Sequence, residues 1–173
     1  MEPFQLFEFC PRCGRRRDGP VTTPFRCTGC GLVLYFNPAV AVGVILLGPD
    51  GRALFVRRAK DPAQGKLGLP GGFVDFGETA EDAVRREVRE EVNLEVAGLE
   101  FLCSAVNRYA FAGVTYPVLD LFFVARAESV SQASAQDEVA SLCWLAPAEV
   151  DLEEIAFPSM RQALRLFNTR CSG

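Results

Sequence analysis

Four cysteines within the first thirty residues constrain this chain more than any other feature. Cys10-Pro-Arg-Cys13-Gly and Cys27-Thr-Gly-Cys30-Gly are two C-x-x-C-G knuckles separated by thirteen residues. Four thiolates at this spacing can close tetrahedrally on Zn²⁺, and the glycine after each pair lets the backbone turn tightly around the metal. Because all four positions are cysteine, a structural site with no open coordination position is expected. A segment this short cannot build enough apolar core, so metal binding would contribute to its folding directly. Two disulfides or a redox C-x-x-C are the competing readings. The first needs an oxidising compartment and the second a βαβ setting. The N-terminus, MEPFQLFEFCPRCG, lacks the basic and then apolar pattern of a secretory signal, so a cytoplasmic location is expected. Cys103, Cys143 and Cys171 have no partner at ligand spacing and read as small core or surface residues.

The texture changes near residue 37, which predicts two units: a cysteine-built ribbon over 1–36 and a larger domain over 37–173. With 173 residues and 49% apolar composition, the chain can bury a core of ordinary size. The larger part opens with a strand from Ala39 to Leu47, a turn at Gly48-Pro49-Asp50-Gly51, and a second strand from Arg52 to Arg57. Val118 to Arg126 and Ser141 to Leu145 are further β-rich runs, and about Ser159 to Thr169 reads as a closing helix. Strands and helices interleave without a βαβ repeat, so an α+β fold with a mixed sheet covered by helices is expected.

The charge balance excludes several classes of function. There is no histidine, which removes Ser-His-Asp and Cys-His machinery, His-ligated zinc and imidazole acid/base chemistry. A net charge of −4 argues against broad binding to a nucleic-acid backbone and favours a small or metal-neutralised anion. No run approaches the roughly 20 apolar residues of a membrane span, so no membrane partner is expected.

The chemistry concentrates after a glycine-rich loop, Leu69 to Thr79. In the helix predicted from Ala80 to Val92, Glu87, Glu90 and Glu91 stand at i, i+3 and i+4 on one face. Glu81 with Arg85 and Asp82 with Arg86 have the order of solvated i, i+4 pairs. An isolated glutamate triplet of this kind reads as an exposed helix face screened by arginines. Here the apolar stripe turns toward the core, loop carbonyls lie directly upstream, and Glu78 adds a carboxylate at the junction. Such a cluster of hard oxygens suits Mg²⁺ or Mn²⁺, which usually share their ligands with phosphate.

Gly72, five residues, Glu78, seven residues and then Arg86-Glu87-Val88-Arg89-Glu90-Glu91-Val92-Asn93-Leu94 resembles the Nudix box, G-x5-E-x7-R-E-U-x-E-E-x-G-U. The one departure is Asn93 where the pattern has glycine. That position falls just past the helix end, where φ > 0 is wanted and asparagine is the next most tolerated residue. The resemblance implies an α/β/α sandwich. It also implies that Glu87, Glu90 and Glu91 hold divalent metals with help from the carbonyl of Gly71 or Gly72, while Arg86 and Glu78 orient the cluster. Family members cleave a nucleoside diphosphate linked to another moiety between its two phosphates, and they often recruit a further glutamate ahead of a tryptophan-bearing strand. Here that segment is Asp137 to Trp144, and Glu138 is the candidate.

A cysteine ribbon ahead of such a domain resembles the arrangement in NADH pyrophosphatases, but their SQPWPFP-x-S motif is missing after the box. The expected substrate is therefore ADP-ribose or FAD, with NADH as a further possibility. The segment NRYAFAGVTYP reads either as a loop contacting substrate through Arg108, Tyr109 or Tyr116, or as a β-hairpin with core aromatics. Arg57 and Arg58 close the second strand, where adjacent residues point opposite ways, so at most one should face the diphosphate. Two alternatives remain open: a non-catalytic nucleotide sensor, and a hydrolase of NAD-capped RNA using Arg12, Arg15, Arg16 and Arg17 of the ribbon. A homodimer is expected by analogy with relatives.

Overall fold

The structure is a computed structural model that describes residues 1–20 and 22–171. Two compact units emerge: Met1–Pro38 with Arg108–Pro117, and Ala39–Asn107 with the chain from Val118 onward.

In the first unit, β1 (Phe25–Arg26) pairs antiparallel with β2 (Val33–Leu34). The two cysteine knuckles have the same bonding pattern. Gly14 N–H donates to Cys10 O at 2.9 Å and Gly31 N–H to Cys27 O at 3.0 Å, with φ of 71° and 72° at the two glycines. A side chain with Cβ would be strained at either position. Cys10, Phe25 and Cys27 are buried, with Phe7, Leu34 and Phe36 packed against them. The segment Arg108–Pro117 joins this unit through Met1, whose ammonium donates to Gly113 O at 3.1 Å and whose carbonyl accepts from Thr115 N–H at 2.8 Å.

The larger unit contains β3 (Ala39–Leu47), β4 (Ala53–Arg58), β5 (Leu67–Gly68), α1 (Ala80–Val92), β8 (Val139–Leu145) and α2 (Pro158–Cys171). It also contains most of β6 (Val96–Phe111) and β7 (Val114–Ala127). The segment NRYAFAGVTYP is therefore a β-hairpin turning at Ala112 and Gly113 rather than a loop, but Phe111 and Tyr116 on it are exposed rather than core aromatics.

The mixed sheet has the order β5-β4-β3-β7-β6, with β8 on β4. β3 runs parallel to β7, Val42 opposite Leu121, and antiparallel to β4. Alternate β3 residues feed opposite faces. Val42, Val44 and Leu46 pack with Ala83, Val84, Val88 and Val92 of α1. Ile45 packs with Ala163, Leu164 and Phe167 of α2. The sheet is thus covered by one helix on each face, as the period-2 and period-3.6 apolar patterns require.

β3 and β4 pair only at Leu46↔Leu54 and Leu47↔Ala53 and then diverge. The vacated edge of β3 is taken by the glycine loop. Val44 N–H donates to Pro70 O at 2.9 Å, Val42 N–H to Gly72 O at 2.8 Å, and Val74 N–H to Val40 O at 2.9 Å. Among the described residues, no helix is long and apolar enough to cross a membrane.

Candidate functional site

Helix α1 begins where its sequence directs. Thr79 Oγ1 accepts from Asp82 N–H at 3.1 Å and donates to Asp82 Oδ2 at 2.7 Å, which satisfies the first turn. It ends at Asn93, in the left-handed conformation with φ 55° and ψ 44°. Asn93 also does what glycine cannot, because its Nδ2 donates to Gln132 O at 3.0 Å.

Between these caps lies the carboxylate face. Arg86 is its hub. Nε and Nη2 grip Glu78 at 2.9 and 3.0 Å, Nη1 donates to Glu87 at 2.8 Å and Glu90 at 3.0 Å, and Nη2 also reaches Phe73 O at 3.0 Å. The Asp82–Arg86 pair expected from spacing does not form: Asp82 is committed to the Thr79 cap and Arg86 to better-placed acceptors. Arg85 likewise donates to the backbone of Glu81, Nη1 to O at 3.4 Å, rather than to its carboxylate. The Arg86 fork, led by its hydrogen bond, holds the Glu78 carboxyl below the ordinary range.

Glu87 and Glu91 are the enclosed members. The Glu87 carboxylate lies against Gly72, where an added Cβ would meet Oε1 at 2.5 Å, so the close approach requires glycine. Burial pushes its carboxyl up despite the pull of Arg86. Glu91 Oε2 accepts from Gly71 N–H at 2.9 Å. Burial pushes its carboxyl up to about 8, with the Gly71 bond and Arg58 opposing and the charges of Glu87 and Glu138 adding. Glu90 is half exposed.

Arg58 is therefore the strand-end arginine whose charge reaches the cluster. Its Nε donates to Pro62 O at 2.8 Å, and its guanidinium lies 5.2 Å from the Phe157 ring centroid. Arg57 turns into the loop and donates to Gly65 O at 2.6 Å. A register shift between the two in the β4–β8 pairing separates them. Glu138 is held by Ala59 N–H, which donates to its carbonyl at 2.9 Å, and by Lys60 Nζ, 3.0 Å from its carboxylate. Lys60 escaped the sequence reading because nothing in the spacing ties it to a residue so distant in the chain. Arg108, Tyr109 and Tyr116 lie on the hairpin segment that groups with the N-terminal unit, where Arg108 Nη2 pairs with Glu2 at 2.5 Å.

The carboxylate set fits a hard divalent cation in its chemistry. All ligands are oxygen, and two of them are enclosed carboxylates whose negative charge the protein leaves partly uncompensated. Of the two candidate carbonyls, Gly72 O already accepts from Val42 N–H, whereas Gly71 O accepts no hydrogen bond among the described residues.

In the first unit, the four Sγ atoms of Cys10, Cys13, Cys27 and Cys30 lie within 4.8 Å of one another. Cys10–Cys30 is 3.7 Å and Cys13–Cys27 is 3.6 Å. These are far from the roughly 2.05 Å of a disulfide. They match the edges, about 3.8 Å, of a tetrahedron with zinc–sulfur arms of about 2.3 Å. Backbone N–H groups of Cys30 and then Gly29 pull the Cys27 thiol down to about 6, as a thiolate ligand requires. At Cys13 the Arg15 backbone also pulls down, but crowding by the other three thiols and burial win and push it up to about 11.

A mixed sheet between two helices, with a glycine loop closing on a helix of glutamates, defines the class, and comparison with known proteins agrees. Residues 37–167 match the NUDIX domain model, and the chain belongs to the Nudix family. An ADP-ribose pyrophosphatase of Methanocaldococcus jannaschii is 49% identical over 61 residues, 35% of this chain and 36% of that protein. The NAD-capped RNA hydrolase NudC of Pseudomonas aeruginosa is 37% identical over 97 residues, 56% of this chain and 34% of that protein. The matched parts thus span about a third of these relatives' length. A NUDIX hydrolase structure from Nitrosomonas europaea aligns over 96% of this chain and 93% of that one, with a TM-score of 0.72 and 26% identity. The NUDIX domain of Shewanella oneidensis NrtR, solved with ADP ribose, aligns over 78% and 89% at a TM-score of 0.63 and 26% identity.

Proposed function

We propose that this chain is a metal-dependent pyrophosphohydrolase. It cleaves the diphosphate of a nucleoside diphosphate linked to another moiety, with ADP-ribose or FAD as preferred substrate and NADH as a further one. The observation that carries this reading is the pair of enclosed carboxylates, Glu87 and Glu91, set against Gly72 and Gly71.

Glu87, Glu90, Glu91 and the Gly71 carbonyl would hold Mg²⁺ or Mn²⁺. Such a cation neutralises the diphosphate and lowers the pKa of a bound water. Arg86, clamped by Glu78, keeps two of the three glutamates in register. Glu138, positioned by Ala59 and Lys60, takes the proton from the attacking water. Arg58 faces the departing phosphate, which gains charge as the bridging bond breaks. The cysteine unit, residues 1–36 in this reading, binds structural zinc, and residues 37–173 form the catalytic domain. The protein acts in the cytoplasm on a small molecule, as a homodimer, without a membrane partner.

Incubating ADP-ribose, FAD and NADH with Mg²⁺ or Mn²⁺ tests this, with AMP as the common product. Turnover of at least one, lost about a hundredfold or more in Glu90→Gln, is expected. No turnover of any diphosphate with either metal overturns it.

A second reading, a non-catalytic nucleotide sensor, is favoured by the likeness to the NrtR domain solved with ADP ribose. In that case ADP-ribose binds without being cleaved. A third, hydrolysis of NAD-capped RNA, draws on the likeness to NudC and on the ribbon arginines Arg12, Arg15, Arg16 and Arg17. It requires salt-dependent RNA retention that disappears when those arginines are neutralised.

A further inference from the structure

The two cysteine knuckles meet at a pair of equivalent positions. Arg15 stands two residues after Cys13, and Gly29 two residues after Cys27. Each turns its backbone N–H onto that cysteine, Arg15 onto the Cys13 sulfur and Gly29 onto Cys27 Sγ at 3.4 Å. Arg15 O also accepts from Cys10 N–H at 2.8 Å, so its backbone serves both ligands of the first knuckle. Its side chain then leaves that knuckle and runs over the second. An added Cβ at Gly29 would meet Arg15 Cδ at 2.8 Å, Nε at 3.3 Å and Nη1 at 3.4 Å. Gly29, unlike Gly14 and Gly31, does not have a positive φ, so the close approach of Arg15 rather than the backbone accounts for glycine there.

The next two arginines are placed differently. Arg17 donates from Nη1 to Phe7 O at 3.0 Å and from its backbone N–H to Glu8 O at 2.8 Å, and Arg16 lies opposite Phe9 in an antiparallel bridge. Both are thereby tied to the segment ahead of the first knuckle. Thr28 Oγ1, in the second knuckle, donates to Asp18 Oδ2 at 2.9 Å, but that link brings a further negative group. A zinc ion with four thiolate ligands has a net charge of about −2. Beside such a centre a guanidinium is favourable and a carboxylate is not. Seated on Gly29, the Arg15 guanidinium lies within about a Debye length, roughly 8–10 Å, of Cys27 Sγ, close enough for each charge to feel the other.

We infer that Arg15 is the clasp of the zinc site: its side chain, laid across Gly29, ties the second knuckle to the first, and its charge offsets that of the zinc tetrathiolate and slows loss of the metal. The long apolar stem covers the knuckle while the charged end stays near solvent, an arrangement open to arginine and lysine but not to a short side chain. The inference rests on the structural-zinc reading and adds to it a residue outside the four ligands. It also takes Arg15 out of the four arginines on which the capped-RNA reading draws, because its side chain is committed to the opposite knuckle.

Transfer of zinc from the intact, zinc-loaded protein to an excess of a chromogenic chelator reads this without turnover. Arg15→Gln is expected to release zinc at least about threefold faster than the native chain, the scale of a charge interaction near a surface. Arg15→Lys keeps the charge and is expected to stay within about twofold of the native rate. In 1 M salt, where the Debye length is about 3 Å, Arg15→Gln and the native chain should differ by less than about twofold. Arg16→Gln removes the same charge one residue along and should release zinc at the native rate. Gly29→Ala pushes the Arg15 side chain off its seat without changing any charge and should match Arg15→Gln. The double variant should be no faster than the faster of the two, because both remove one contact. Native-rate release from Arg15→Gln overturns the inference, as does an equal effect of Arg16→Gln, a difference that salt leaves untouched, or rate gains that multiply in the double variant. A native chain that binds no zinc overturns the zinc reading and the inference together, whereas a zinc-loaded chain with unaffected release overturns the inference alone.

Discussion

Gly71 donates its backbone N–H to Glu91 Oε2 at 2.9 Å, joining the glycine loop to the last turn of α1. The bond favours the ionised carboxylate, yet burial outweighs it. Glu91 is thus hydrogen-bonded and still short of positive charge.

A stability profile follows from this. The Glu91 carboxyl titrates near 8 in the folded chain, above the ordinary value of 4.5, so the folded state binds its proton more tightly than the unfolded state. The sign is therefore that stability is full below about pH 4.5 for this group and is lost as pH rises through 8. Without added Mg²⁺ or Mn²⁺, the melting temperature should decline over that window, and either metal should restore it at pH 8. Glu91→Gln keeps an acceptor for Gly71 N–H and should flatten the decline. Melting curves across pH check this, and a variant that declines as steeply as the native chain contradicts it.

Gly72→Ala should separate activity from folding. The new Cβ meets the Glu87 carboxylate rather than backbone, and a side-chain end can move away. Turnover should fall about tenfold or more while unfolding free energy drops by less than about 1 kcal/mol, below the usual range for overpacking. Urea unfolding alongside steady-state kinetics reads both.

Arg86→Lys keeps the charge but replaces a planar fork with a single ammonium, which cannot serve Glu78, Glu87, Glu90 and Phe73 O together. A loss of about 2 kcal/mol in stability is expected, because enclosed acceptors lose their donors. An unchanged urea midpoint would contradict this.

Zinc should be found at about one per chain, and Cys27→Ser should lower it. Stripping it should unfold the segment around β1 and β2, visible as lost amide protection there. A metal-free chain with that segment protected would overturn the zinc assignment.

The helix end can be tested by itself. Asn93→Ala places a residue with no local polar compensation at φ 55° and removes the bond to Gln132 O, for an expected loss of about 1–2 kcal/mol. Asn93→Gly relieves the backbone while losing the same bond, so its effect should be smaller. Thermal unfolding of the two variants decides.

Helix periodicity put Glu87, Glu90 and Glu91 on one face, and the box became readable only with Gly72 and Glu78 upstream; the span Ala80–Val92 and its left-handed end at Asn93 agree with the helix expected there. Pairing between distant strands was not readable. Ala39 lies opposite Val118 through a parallel ladder, which no local spacing encodes. Partner choice also escaped. Spacing offered Asp82 to Arg86, but the glycine loop brings Glu78 and Phe73 O within its reach, and a fork takes the acceptors that match its plane. Lys60 beside Glu138 was hidden for the same reason, since 78 residues separate them.

The glycine loop is hydrogen-bonded along β3 as a strand would be, through Pro70 O, Gly72 O and Val74 N–H. Loops at ligand sites commonly become ordered only when the ligand arrives, and that lost entropy weakens binding. Here the ordering accompanies folding. The amides of Val42, Val44 and Val74 should therefore exchange with solvent at the slow rate of the central sheet, and the loop should present the same cradle to every phosphate that reaches it.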